Sequence, residues 1–366
     1  MNASSIRSIL WIILLALLPG SACAESHPFV ARPQPWQRLA EPIISANSTE
    51  QTWNKVVTYS PTVIHHDGLF RMWYLGTSTK TRLSNTVMGY AESEDGIEWR
   101  EHSSNPILTA ADIPWGQVIQ TPHVLFDAEE SIYKMWFVSG YPRTIDERGR
   151  VTELDQHLGY ATSPDGLQWN VHPQPIYESG RSPSVIKEGP GNYRMWMGSL
   201  PASDSEFKGL YSNIFEFSSP DGISWKRAAK PAIYPGGKIT TAIYPFVYKE
   251  KNTYYMWYGG HIEGRMFQLY GATSEDGSTW ESDQERSAFP AREGKTAFDS
   301  RYTSTPCLVA TPDRYLLYYS ARDWVIDYVD GNGVKHRDGA SPYAHIGVAV
   351  IPRPPHPLRT PPTSRR

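Results

Sequence analysis

The chain has 366 residues, of which 40% are hydrophobic and 20% charged, with a formal net charge of −3. This balance excludes an intrinsically disordered chain, and the lack of a long basic run outside the C-terminal tail excludes the electrostatic footprint of a nucleic-acid-binding protein. Aromatic residues make up 13% of the sequence, a bias that suits a β-rich body with stacking surfaces.

The N-terminus reads Arg7, an apolar run from Ile9 to Leu18, then Pro19-Gly20 and Ala22-Cys23-Ala24. That is the charged, apolar and small-residue order of a secretory signal, too short for a stable membrane-spanning helix. The expectation is a signal peptide over residues 1–24 and an exported protein, periplasmic or secreted, with no transmembrane segment. Cleavage after Ala24 leaves Cys307 as the sole cysteine. The alternative makes Cys23 a lipidation site, against which Gly20 stands where a lipobox has an aliphatic residue.

A single domain is expected over residues 25–350, because one motif recurs there five times. Its apolar centres are Phe70-Arg71-Met72-Trp73-Tyr74, Tyr133-Lys134-Met135-Trp136-Phe137, Tyr193-Arg194-Met195-Trp196-Met197, Tyr254-Tyr255-Met256-Trp257-Tyr258 and Tyr315-Leu316-Leu317-Tyr318-Tyr319. The steps from Met72 to Met135, Met195, Met256 and Leu317 are 63, 60, 61 and 61 residues. A period this long and regular marks stacked supersecondary units.

Each repeat begins with a proline-led apolar strand at Pro61, Pro122, Pro183, Pro245 or Pro306. The Met-Trp strand follows, then a loop of variable length, and then a strand such as Gly89-Tyr90-Ala91 or Gly159-Tyr160-Ala161. Four repeats continue into Ser-x-Asp-Gly-x-x-Trp, with the Asp-Gly pairs at Asp95-Gly96, Asp165-Gly166, Asp221-Gly222 and Asp276-Gly277. Asp-Gly between apolar runs is a strong hairpin signal because both residues tolerate positive φ. The tryptophan then opens a fourth strand. The predicted fold is all-β, a five-bladed propeller of four antiparallel strands per blade, with blades near 55–110, 115–178, 180–235, 240–290 and 302–350.

The fifth repeat lacks the Asp-Gly hairpin, yet Trp36 to Pro42-Ile43-Ile44 copies the fourth-strand pattern of Trp99 to Pro106, Trp169 to Pro175 and Trp225 to Pro231. Residues 35–44 are therefore predicted to close the last blade, leaving the ring without an open seam. Residues 351–366, rich in proline and arginine, are expected to form a flexible tail.

A five-bladed propeller with x-Pro strands followed by Tyr-x-Met-Trp-Tyr strands resembles the furanosidase clan of glycoside hydrolases. This clan includes arabinanases and xylosidases of family 43, invertases of family 32 and the related mannoside phosphorylases of family 130. The resemblance covers nearly the whole mature chain. It implies a carbohydrate ligand and working carboxylates where inner strands meet the central funnel, often as Asp-Pro in the first blade and Glu-Gly-Pro in the third. Here those places read Tyr59-Ser60-Pro61 and Arg181-Ser182-Pro183. Glu188-Gly189-Pro190 lies beyond the inner strand, at the opposite end from the funnel, and is read as structural.

The loops leading into the first strands, and those joining second to third strands, share the funnel mouth. They hold most of the length variation, as expected where a rigid scaffold displays function. Candidate catalytic acids there are Asp155, Glu263 and Asp323, near loop bases, together with Glu178 and Asp299. Inverting hydrolysis needs two carboxyls about 6.5–9.5 Å apart, and retaining hydrolysis about 5–5.5 Å. The alternative is that these side chains are simply solvated.

Candidate substrate-binding residues are Arg181, Arg301, His157, His261, Trp115, Tyr244, Tyr302 and Trp324, with Trp53 and Tyr141 as further mouth aromatics. An arginine fork suits carboxylate, sulfate or phosphate, so the carbohydrate can be anionic, although either arginine can instead pair with a neighbouring acid. The repeated tryptophans, at identical places in successive blades, are read as packing. No metal-spacing cluster, phosphate loop or Gly-x-Ser-x-Gly elbow occurs, and no cofactor is expected. His123 is the sole metal candidate, with a satisfied core histidine as its alternative. Two functions from different classes follow: an exported enzyme acting on a glycosidic bond, or a glycan-binding or polysaccharide-assembly propeller without catalysis.

Overall fold

The computed structural model describes residues 35–46, 50–79, 86–145, 151–198, 213–262, 267–337 and 343–353, and only the backbone at 142–145 and 151–154. The signal-like segment with Cys23, the candidate Glu263 and residues 354–366 of the expected tail lie outside the described residues, while Ile351 and Pro352, expected in the tail, instead extend the last strand opposite Tyr315 and Arg314. The architecture is a five-bladed β-propeller. The inner strands are Val57–His66, Gln120–Asp127, Arg181–Gly189, Ile239–Glu250 and Tyr302–Ala310, and each begins an antiparallel four-stranded sheet. The ring closes as expected: Gln37 pairs with Val350 and Arg38 with Ala349, while Ile44 pairs with Ile346. Trp36 anchors this seam by meeting Trp257 and Phe289 edge to face, with ring centroids 6.1 and 6.3 Å away.

The Asp-Gly turns set the spacing between blades. In the first, the Asp95 carboxylate accepts the N–H groups of Ile97 and Glu98 at 2.8 and 2.9 Å, and Gly96 sits at φ 75°. These bonds leave the glycine carbonyl facing the neighbouring blade. Trp73 Nε1 donates to Gly166 O at 2.7 Å, Trp136 to Gly222 O at 2.7 Å and Trp196 to Gly277 O at 2.9 Å. All three tryptophans are fully buried, so they are packing residues with a satisfied polar edge. In the fifth blade Tyr318 takes the tryptophan's place, and its hydroxyl donates to Gly96 O at 2.8 Å.

A shared irregularity lines the axis. Every inner strand has a register shift at its x-Pro step, and the residue before proline has positive φ: Ser60 52°, Thr121 41°, Ser182 58°, Tyr244 58° and Thr305 42°. L-residues avoid this region, and each such residue costs about 1–3 kcal/mol unless its surroundings fix it. Short side chains of adjoining strands accept the N–H groups of two of these residues and of one just beyond a third. Ser60 N donates to Ser320 Oγ at 2.8 Å, Ser182 N to Thr121 Oγ1 at 3.1 Å and Val247 N to Ser184 Oγ at 2.8 Å. Val63 N likewise donates to Cys307 Sγ at 3.2 Å, giving the buried cysteine a structural role.

At the base, inner-strand carboxylates latch successive blades together. Asp127 accepts from Lys134 at 2.7 Å, Lys187 at 2.8 Å and the Tyr193 hydroxyl at 2.8 Å. Glu188 binds Lys249 and the Tyr254 hydroxyl, with Arg194 at 3.8 Å, which gives the structural role read from its position. Glu250 accepts from Tyr315 at 2.8 Å and binds Arg353.

Candidate functional site

The axial channel changes character along its length. At the mouth end it is lined by Ser60, Thr121, Ser182, Tyr244 and Thr305 with the five prolines, together with His123 and Phe246. Its free volume there is about 30 Å³, room for about two waters and far too little for a sugar ring. Towards the base it opens into an apolar cavity of about 240 Å³ lined by residues such as Val63, Val124, Val247 and Leu308. The polar ring is thus a floor, and a sugar has to lie above it, among the mouth loops. Neither stretch of the channel is lined by an Asp or Glu.

His123 sits at the constriction, with Nε2 2.9 Å from Val185 O and its ring 6.2 Å from Phe246. Burial lowers its pKa to about 4, although the Val185 carbonyl acts in the opposite direction. Among the described residues no group of three or more His, Cys, Asp or Glu side chains is placed to hold a metal ion. His123 is thus held inside the channel by the Val185 carbonyl and the Phe246 ring.

Around the floor, Arg181 Nη2 donates to the Tyr244 hydroxyl at 3.3 Å, and the guanidinium lies 5.7 Å from that ring. Gln156 Nε2 bonds Gln120 Oε1 at 3.1 Å, tying the second-blade mouth loop to its inner strand. That bond fixes the loop base on which the half-buried Asp155 and His157 stand, and Asp155 N donates to Tyr141 O at 2.9 Å. His157 Nδ1 is buried without a hydrogen-bond partner among the described residues. In the fourth blade His261 Nδ1 lies 3.2 Å from Thr240 Oγ1, and its ring meets Phe267 at 5.1 Å. Glu178 is exposed, one strand-lead before Arg181.

Several expected site residues are committed elsewhere. Asp299 is fully buried between Arg38 at 3.2 Å and Arg292 at 3.0 Å, and it accepts the Tyr319 hydroxyl at 2.9 Å. It clamps the closing N-terminal strand and is corrected to a structural acid. Asp323 is buried against His345, whose Nε2 is 3.0 Å away, and it accepts Val325 N at 3.0 Å; His345 Nδ1 in turn meets Ser45 Oγ at 3.1 Å. This relay also ties the closing strand to the fifth blade. Trp115 is only 8% exposed, stacks on Phe137 and donates to His172 O at 2.9 Å, so it is core rather than a stacking platform. Trp53 packs on Tyr74 at 5.6 Å, and Tyr302 lies buried beneath the Arg322 guanidinium at 5.3 Å.

Trp324 and Tyr141 remain open, at 43% and 45% exposure. Arg301 and Lys295 flank the Trp324 ring, at 5.1 and 5.4 Å. Lys295 and Arg322 were not among the expected binding residues. The alternating strand pattern places Arg322 beside Tyr302, but nothing in the sequence near Lys295 signals its approach to the indole.

The geometry can be set beside known proteins. No family model matches the chain. It is 34% identical over 99 residues to the uncharacterized protein Rv1502 of Mycobacterium tuberculosis, covering 27% of this chain and 32% of that one. The chain therefore spans about a third of the length of the curated relatives it matches. Among solved structures, one from the GH130 family of mannoside phosphorylases, containing glycoside hydrolases that target β-1,2-mannosidic linkages in Candida mannan, is similar at TM-score 0.61. It has 16% identity and covers 88% of this chain and 96% of that chain. The catalytic domain of Coprinopsis cinerea GH62 α-L-arabinofuranosidase is similar at TM-score 0.58 and 14% identity, covering 86% and 96%. An N-acetylgalactosamine deacetylase from F. plautii is similar at TM-score 0.60 and 16% identity, covering 87% and 95%. This chain has the five-bladed propeller fold of glycoside hydrolases. At these identities the likeness defines the fold, and the chemistry has to come from the mouth.

Proposed function

We propose that this protein is a carbohydrate-active propeller of glycoside hydrolase type that takes an oligo- or polysaccharide across its mouth and acts on a glycosidic bond. The observation that supports this reading is the constricted polar floor, too narrow for a sugar ring, with Tyr244 in its lining and Arg181 bonded to the Tyr244 hydroxyl. Asp155 and Glu178 are the acid–base pair this reading assigns among the described residues, and Glu263 is a third carboxylate from the fourth-blade loop. The signal-like N-terminus supports action outside the cytoplasm. A panel of glycans, scored for both binding and product release, tests the proposal. Asp155→Asn or Glu178→Gln is expected to cut turnover at least about a hundredfold while the melting temperature holds. A second reading, binding without catalysis, is favoured by the commitment of Asp299 and Asp323 to structural partners. Tight glycan binding with no product from any glycan selects it over the first.

A further inference from the structure

The fifth-blade side of the mouth gathers positive charge around an exposed indole. Trp324 is held by its Nε1, which donates to Ser300 O at 3.3 Å, while 43% of its surface stays open. Two cations approach this one indole: the Arg301 guanidinium at 5.1 Å and the Lys295 ammonium at 5.4 Å. Arg301 is bound through its backbone N–H to Arg322 O at 3.0 Å, which brings a second, nearly buried guanidinium alongside it. Among the described residues the Arg301 side chain makes no hydrogen bond or ion pair, and its Nε is buried without a partner. The neighbouring carboxylate, Asp323, is taken by His345 and by Val325 N–H.

Burying charge without a counter-ion is costly, and proteins ordinarily pair it. Burial and the like charge of Arg322 lower the Arg301 pKa, while Tyr302 and the Asp323 carboxylate act in the opposite direction without reversing the shift. An exposed indole face beside such a fork suits a sugar ring that bears an anionic group. We infer that this side of the mouth is a subsite for an acidic sugar residue, with Trp324 stacking on the ring and Arg301 and Lys295 receiving its carboxylate or sulfate. The inference rests on the carbohydrate reading above and narrows its substrate class.

The test is an array of acidic glycans and their neutral counterparts, including oligogalacturonide against its methyl ester and sulfated against desulfated oligosaccharides. Affinities are measured by titration calorimetry, with inorganic phosphate and sulfate as separate arms. At least one acidic glycan is expected to bind about tenfold or more tightly than its neutral counterpart, the scale of one charge-assisted hydrogen bond. Which pair shows the preference, carboxylate or sulfate, identifies the anion. Arg301→Gln should abolish the preference, Trp324→Ala should weaken both members of the pair, and Lys295→Gln should reduce the preference without touching the fold, because Lys295 is exposed. Equal binding of acidic and neutral members, or a preference unchanged in both cation variants, overturns the acidic subsite and leaves the carbohydrate reading standing. Binding of the free ions alone also overturns it, and binding of no glycan at all overturns both.

Discussion

At the base of the propeller the carboxylates of Asp127, Glu188 and Glu250 each meet a tyrosine of the following blade and at least one cation, whereas at the mouth Arg301 meets an indole and makes no described ion pair. Both ends are built from the same repeat, so the difference is not one of fold. Base charges are spent on holding blades together, and they are buried with their partners. At the mouth Asp299 and Asp323 are spent in the same way, whereas Arg301 and Lys295 beside the open Trp324 ring stand on elements already fixed and are available to a ligand.

The strongest way to break the comparison is to remove a latch. Asp127 is the sharpest case, because Lys134 beside it is 3% exposed. Burial acts to raise the Asp127 pKa, but hydrogen bonds from Lys134, Lys187 and Tyr193 outweigh it and hold the carboxyl far below its ordinary value. Asp127→Asn is expected to cost about 3–5 kcal/mol in urea unfolding, since it leaves buried ammonium groups underpaired. Glu130 and Glu129 remain near Lys134 and Lys187, which places the value towards the low end. A loss below about 1 kcal/mol would mean that the latch is ornamental and the contrast between the two ends is false.

The repeat made much of this legible and hid the rest for identifiable reasons. Met-Trp spacing and the Asp-Gly turns gave away the blades because both are local signals repeated in register. Trp36 to Ile44 revealed the seam by copying the same fourth-strand pattern. Asp299 misled because its partner Arg38 is 261 positions away, and a loop carboxylate carries no mark of such a partner. Asp323 misled in the same way, since His345 comes beside it only through strand pairing. Trp115 was hidden by a glycine: a Cβ at Gly159 would stand 2.7 Å from its ring, so the glycine opens the slot that buries it. The positive-φ ring before the five prolines has no sequence signal in Ser, Thr or Tyr, residues that ordinarily avoid that conformation.

His123, lodged between the two ends, gives the next prediction. Its pKa falls from 6.5 unfolded to about 4 folded, so the unfolded chain binds the extra proton first as the pH drops. The corresponding stability is fully present above about pH 6.5 and is lost progressively as the pH falls towards 4. The shift corresponds to about 3 kcal/mol. Denaturant melts at pH 7, 5.5 and 4.5 measure it, with His123→Leu as the comparison. The variant should show a flatter profile across that window, and parallel profiles would remove His123 from the account. The Asp127 latch confounds the comparison little, because its own loss starts at about pH 5, where the unfolded carboxyl begins to take up a proton, and falls mostly below the lowest pH used.

The smallest expected effect is at the mouth, and its smallness is the point. Arg301→Gln removes a charge that makes no described ion pair and that feels both the like charge of Arg322 and the opposite charge of Asp323. Its contact with Trp324 is lost, but cation–π contacts at exposed rings are worth only about 0.5–1 kcal/mol. Relief of the repulsion with Arg322 offsets that loss. The net change in unfolding free energy is therefore expected to stay within about 0.5 kcal/mol, the range of ordinary surface substitutions. The same urea titration used for Asp127→Asn measures it. A loss above about 2 kcal/mol would show that Arg301 holds the fifth blade together, and the mouth would then be a second set of latches rather than a surface kept open for a ligand.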